Sequence, residues 1–312
     1  MAFTTFVKRK LREKRDNLRQ ADYERKNDIL YKRHRGEKVL FGVMFAIFLF
    51  FAISYIFPFI WVFYNAFKSP TEYMGNFISL PKVWTLENFE AAWSFSSSET
   101  NYTTLFQMMG MSVLLAFSGT LVSVFVSSCA AYVTAKYEFP GRNIIIGVVI
   151  FTMIIPIVGS LPSQIQLMEN LGLDDTIVGM IFLYSGGFGM NFMLLYSFFK
   201  NLSWTYVEAA KIDGASDFRI FFSIILPMAK GPIVAISVIQ LIGLWNDYMT
   251  PRIFLPSHPT IAVGLDLMRT GLESQATVLY AAIVLTVIPI VLVFAFFSKT
   301  IMENTSVGGL KG

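Results

Sequence analysis

The sequence predicts an all-α integral membrane protein with six transmembrane helices and both termini cytoplasmic, on three observations. Of its 312 residues, 54% are hydrophobic, 16% are aromatic and only 15% are charged, whereas soluble domains carry roughly 25% charged residues. Charge-free runs long enough to cross a bilayer recur along the chain, and a crossing needs about 20 apolar residues. The basic residues are distributed very unevenly between alternate loops. Other classes are disfavoured by the same composition. A single cysteine, Cys129, rules out a disulfide framework, and His34 and His258 are too few and too far apart for a metal site or a catalytic dyad. The first apolar run is far longer than a signal core of about 7–15 residues, so the chain is expected to be inserted, not secreted.

The expected spans are 39–67, 100–135, 143–168, 176–199, 231–246 and 274–298. The fifth has only 16 charge-free residues, about 24 Å of helix at 1.5 Å per residue, against a hydrocarbon core of roughly 30 Å. Met228 and Ala229 are expected to extend it at one end, and Asp247 to Thr250 at the other. Of the 25 Lys and Arg, 13 lie in residues 1–38, and with six spans one side collects 21 and the other 4. Positive residues stay inside. The chain therefore divides into a basic cytoplasmic extension (1–38), a transmembrane domain (39–298) with a cytoplasmic loop at 200–230, and a cytoplasmic tail (299–312).

The first span is studded with Phe and suits a lipid-facing helix, which Pro58 is expected to bend. In the extension, Phe3, Val7, Leu11 and Leu18 recur at multiples of three or four among basic residues. That pattern fits a basic amphipathic helix on the anionic inner leaflet, or equally a solvated tail that fixes topology. Between spans 1 and 2, TLENFEAAW (85–93) reads as a short amphipathic helix, with Thr85 as N-cap and Asn88 at its third position. In span 3, Pro156 and Pro162 flank Gly159 and Ser160, so a break is expected where protein or a cavity satisfies the freed backbone groups. Span 4 carries Gly186, Gly187 and Gly189 together, either for close helix packing or as part of a permeation wall. No internal repeat supports an inverted-repeat secondary transporter.

The loop reads VEAAKIDGASDFRIFFSIILP over 207–227. Glu208 to Ile212 favours helix, and Ala209 and Ala210 leave one face low enough for another protein to approach. Asp213-Gly214 is a stop, because glycine tolerates the left-handed conformation that follows a helix. Ser216 can cap a second helix, with Phe218, Phe221, Phe222 and Ile225 at helical spacing as a membrane-anchored aromatic face. Pro227 is expected to end or kink it. The product is two short helices meeting at a glycine corner, able to transmit a push. At the far end of the fifth span, Asp247 follows Trp245 and Asn246. An ionisable residue at membrane depth is a candidate functional group, and the bland alternative is a cap or a pair with Arg252. Gln166, Tyr184 and Asn191 are further candidate lining residues.

The EAA string, Gly214 four residues beyond Ala210, and ILP at 225–227 resemble the EAA loop of permease subunits in binding-protein-dependent ABC importers. The fuller EAAKIDGAS…ILP is similar to the sugar-importer branch, in particular the six-span maltose-type subunit. WNDY at 245–248, AAYVTAKYEFPGR at 130–142 and SVGGLKG at 306–312 are similar to further parts of that branch, so the resemblance covers roughly 38–312. The chain departs from it at Met111-Ser112, where an Asn-Ser pair is common, and at Pro232, five residues after Pro227 where four is usual. The resemblance implies a type I ABC importer permease fold in a bacterial cytoplasmic membrane. It implies a second, different permease subunit, a cytoplasmic ABC ATPase dimer that binds ATP and Mg, an extracellular or periplasmic solute-binding protein, and no nucleic acid. The EAA helix would dock in a groove of the ATPase. Glu208 would make polar contacts, Ala209 and Ala210 would give clearance, Asp213 and Gly214 would form the corner, and Pro227 would end the motif. The chain has no GxxxxGK[ST] phosphate loop, so it is expected to be non-catalytic and to hold no cofactor. A sugar or oligosaccharide is the implied cargo, another solute the alternative, and a stand-alone secondary transporter the distant third.

Overall fold

The computed structural model describes residues 15–20, 35–96, 103–154, 159–271 and 275–305. Among the described residues every regular element is helical. The expected amphipathic positions Phe3, Val7 and Leu11, Pro156 of the third span and the SVGGLKG tail lie outside them. The chain divides into two compact units, residues 1–60 and 61–312.

Helix α1, Arg35–Asn65, runs through Pro58 as one element. Within the first unit, every residue from 37 to 60 is exposed. An apolar helix exposed all round is suited to lipid, not to water. The second unit begins at the last turn of α1 and is built around α4, Leu105–Lys136. Thr104 starts α4 with a capping box: its hydroxyl accepts from Gln107 N–H, and its own N–H donates to Gln107 Oε1 at 2.9 Å. The buried face of α4 is lined with small residues, including Ser112, Ala116, Gly119, Ser123, Ser127 and Ala131. In an apolar solvent helices associate by close packing and not by expelling water, so small residues mark the contact. A Cβ at Gly119 would lie 2.8 Å from the Tyr184 ring and 2.9 Å from Leu244.

The expected third and fourth spans are both interrupted. α5 (Arg142–Ile154) and α6 (Leu161–Leu171) are separated around Gly159, which has φ +104°. Pro162 sits in the first turn of α6, where its missing N–H costs nothing. α7 (Ile177–Tyr184) and α8 (Met190–Asn201) are separated by Ser185 to Gly189. Gly187 approaches Val126 of α4 so closely that a Cβ would lie 2.7 Å from it, whereas Gly186 and Gly189 face open space. α9 is Thr205–Ile212 and α10 is Asp217–Met228, with a π-turn at Phe221–Ile225. α11, Lys230–Asn246, follows at a 75° bend. Met228 and Ala229 therefore do not lengthen the fifth span in line. At the other end, Asp247 stops α11 and a separate short helix, α12 (Met249–Phe254), begins. α13 (Ile261–Gly271) and α14 (Ala276–Thr305) complete the chain. Among the described residues three helices are long and apolar enough to cross a membrane, or four if the bent α10–α11 pair is one span. The protein is a multi-pass membrane protein.

The 66–93 segment is fastened by buried polar groups. α2 (Pro70–Gly75) and α3 (Glu87–Trp93) are its helices. Lys68 is fully buried; its ammonium donates to Asn76 O at 2.8 Å and lies over the Tyr64 ring. Burial lowers its pKa, and Glu72 acts in the opposite direction. Asn88 differs from its expected capping role. Leu86 takes the N-cap position and Thr85 Oγ1 accepts from Glu87 N–H. The Asn88 amide instead donates to Ala66 O and Lys68 O and accepts from Thr277 of α14.

Candidate functional site

Two places concentrate the sequence's polar signals: the corner between α9 and α10, and the inner face where α7 and α8 meet α11. In the corner, α9 closes with a Schellman motif. Gly214 N–H donates to Lys211 O and Ala215 N–H to Ala210 O, with Gly214 at φ +76°, a conformation that costs other residues roughly 1–2 kcal/mol. Ser216 then caps α10, its hydroxyl accepting from Arg219 N–H. Pro227 has no N–H for the Ser223 carbonyl, and the helix widens into the π-turn at 221–225 just before it. Ile220, Phe221 and Ile225 are buried against α4 and α8, while Phe218 and Phe222 are exposed. The expected single aromatic face is thus split in two. The alanine pair is split as well: Ala209 is exposed, but Ala210 is 7% exposed and belongs to the core beside Val207. Glu208, Asp213 and Gly214 are exposed. Among the exposed apolar side chains, Ile212 at 87% and Phe218 at 79% stand on either side of Gly214.

The corner is held to the end of α4 by polar side chains. Tyr137 is the C-cap residue of α4. Its hydroxyl donates to Asp217 Oδ1 at 3.0 Å, and Lys211 pairs with the same oxygen at 3.2 Å. Trp204 presents its ring to Tyr137 edge-on at 5.8 Å. Lys136 donates to Leu202 O and lies over Trp204. The Tyr137 hydrogen bond, and then Lys211, hold the Asp217 carboxyl below its usual range, and burial pushes the Tyr137 phenol up.

Deeper in the fold, Tyr184 at the end of α7 donates to Asp247 Oδ2 at 3.0 Å. In the first turn of α8, just beyond the glycine break, Asn191 donates to Gln240 Oε1 of α11 at 2.9 Å. The two bonds bracket the gap at Ser185–Gly189, and on each side their residues are seven apart. Asp247 Oδ1 also accepts from Thr250 N–H and so caps α12. Arg252 is turned away from it and pairs with Asp266 of α13. Trp245 is buried in the core, and Asn246 is exposed and bonds back to Ile242 O. Gln166 is exposed on α6 and takes no part in these two bonds.

Residues 123–304, from the second half of α4 to α14, match the family described as binding-protein-dependent transport system inner membrane component. The chain belongs to that family. As an inner membrane component it has relatives along most of its length. It is 31% identical over 282 residues to the diacetylchitobiose uptake system permease protein of Streptomyces coelicolor, covering 86% of this chain and 88% of that protein. It is 30% identical over 271 residues to the arabinooligosaccharides transport system permease protein of Halalkalibacterium halodurans, covering 85% and 94%. The crystal structure of a bacterial ABC transporter involved in the import of the acidic polysaccharide alginate has the same fold. There the TM-score is 0.72 at 23% identity, covering 86% of this chain and 98% of that one.

For this inner membrane component the sequence located the corner, its glycine stop and its serine cap. It singled out Tyr184, Asn191 and Asp247 separately, and the structure brings Tyr184 to Asp247 and Asn191 to Gln240. Tyr137, Lys136 and Gln240 were not singled out. The signal for Tyr137 and Lys136 was present: a polar pair ends an apolar run at the point where the chain turns toward the loop.

Proposed function

We propose that the chain is a transmembrane permease subunit of an ATP-driven ABC importer that moves a sugar or oligosaccharide into a bacterial cell. The observation that carries this reading is the α9–α10 corner. Its inner residues are packed into the protein's own core, while Ile212 and Phe218 project from its tip. Apolar side chains rimmed by polar ones at such a tip mark a docking surface. Placed on the cytoplasmic side, as the excess of basic residues in alternate loops requires, the tip meets a soluble partner. That partner is the ATPase dimer, which binds ATP and Mg and performs the hydrolysis; this chain is non-catalytic and holds no cofactor. Glu208, Ala209, Asp213 and Gly214 form the contact, and Ala210 and Pro227 set its shape from behind.

The six crossings are α1, α4, α5 with α6, α7 with α8, α11, and α14, leaving both termini in the cytoplasm of a bacterial cell. A second, different permease subunit completes the pathway, and a solute-binding protein delivers cargo from outside. The named cargoes of the relatives support a carbohydrate. The pathway runs along the Tyr184–Asp247 and Asn191–Gln240 pairs, with Asn246 and Gln166 near its ends and Trp245 supporting it from the core.

Gly214→Leu tests this. A Cβ at Gly214 meets no atom of this chain within 4 Å, so the substitution leaves the core intact and costs only the local backbone strain of about 1–2 kcal/mol. The variant is expected to insert at normal levels, to lose the ATPase on purification from native membranes in mild detergent, and to abolish uptake. Normal ATPase recovery together with normal uptake would show the docking assignment to be wrong.

A further inference from the structure

We infer that Tyr137 is the positioning residue through which the α9–α10 corner and helix α4 move together, a role that rests on the coupling function proposed above. Tyr137 stands at the end of a 32-residue helix and touches the corner at three separated points. Trp204 lies just before the first arm, Lys211 is in the last turn of that arm, and Asp217 is in the first turn of the second. One ring therefore grips both sides of the Gly214 turn. Lys136, its neighbour, adds a fourth point at Leu202 O.

The grip matters because packing behind it is incomplete. Between α4 and the second arm lies an apolar groove of 420 Å³, with Phe125, Cys129 and Val133 on one wall and Phe218 and Phe222 on the other. Ring contacts bridge it at Tyr132–Phe221, 5.1 Å, and at Phe125–Phe222, 6.2 Å. Where two helices interlock without gaps, a surface hydrogen bond adds little to their registration. At the end of this groove the Tyr137–Asp217 bond joins the arm to α4 and sets their distance. A shift delivered at Tyr137 travels along α4 to Gly119, 18 residues away and about 27 Å of helix. There α4 touches Tyr184, the donor of the intramembrane bond to Asp247. The arrangement joins the docking tip to the proposed pathway through one straight element.

The experiment uses the complete importer, with its ATPase, partner permease and solute-binding protein, in proteoliposomes. It measures solute taken up per ATP hydrolysed and the KM for ATP, with recovery of the ATPase read from the same preparation. Loss of the ATPase from the wild-type preparation would count against the docking function itself, separately from the role of Tyr137. Tyr137→Phe keeps the ring and removes only the hydroxyl. The expected result is a fully assembled complex with wild-type KM for ATP and about a fivefold fall in uptake per ATP, the lower end of ordinary coupling between sites. Asp217→Ala, which removes the acceptor of the Tyr137 hydroxyl, is expected to fall in the same way. A wild-type ratio in Tyr137→Phe would overturn the inference. So would loss of the ATPase from that variant, which would make Tyr137 a docking residue, or a wild-type ratio in Asp217→Ala.

Discussion

The 66–93 segment and the α9–α10 corner are both short helical connections, but they are fastened in opposite ways. The first is tied by buried groups: Asn88, Lys68 and Thr277 make their hydrogen bonds away from solvent. The second is tied on its outer side by exposed ones, with Lys211 and Asp217 at 46% and 60% exposure. A buried polar group has no alternative partner, so breaking its bond carries the full desolvation penalty. An exposed pair can exchange its partner for water at little cost. The comparison teaches that one connection is held by buried polar bonds, and the other by apolar packing on its inner side with a solvent-facing polar link added. The second carries the proposed docking tip.

The contrast can be broken most severely at Asn88. Asn88→Ala would orphan Ala66 O, Lys68 O and the Thr277 hydroxyl together, and is expected to destabilise the protein by about 3 kcal/mol. Thermal unfolding of the purified protein in lipid nanodiscs would show it, and an unchanged midpoint would remove the distinction drawn above. Ser216→Ala removes the cap of α10 and is expected to cost about 1 kcal/mol locally. Faster amide exchange at 217–219 with an unchanged global midpoint is the expected signature. The smallest effect is expected from pH. Because the Asp217 carboxyl sits below its usual range, its link is present above the ordinary carboxylate value of about 3.9 and is lost as pH falls below it. Amide exchange in the corner, corrected for its intrinsic pH dependence, should therefore be flat from about pH 8 to pH 5. A marked change inside that window would mean that another group controls the link.

What the sequence could reveal depended on how far apart the interacting groups lie along the chain. Gly214, Ser216 and Pro227 act on backbone within a few residues, and their stop, cap and kink were legible for that reason. The split of the aromatic face was not, because Phe218, Phe221, Phe222 and Ile225 form one stripe at helical spacing, and which half of it meets the core depends on helices distant in sequence. Asn88 was read as the third-position partner of a Thr85 cap because its spacing from Thr85 fitted one. Its partner Thr277 lies 189 residues away, and no local pattern encodes that. Arg252 was near enough to Asp247 in sequence to suggest a pair. The start of α12 intervenes, and Arg252 reaches Asp266 instead. The glycine cluster of span 4 fitted either close packing or a permeation wall, and of its three members Gly187 makes a close contact, against Val126. The pairing of Asn191 with Gln240 required the facing helix.

The bonds Tyr184–Asp247 and Asn191–Gln240 behave as index marks on two facing rulers. Helical residues advance by about 1.5 Å and one turn by about 5.4 Å, so a slide of α7 and α8 along α11 carries both donors off both acceptors at the same moment. The two bonds together therefore mark a single register of the facing helices.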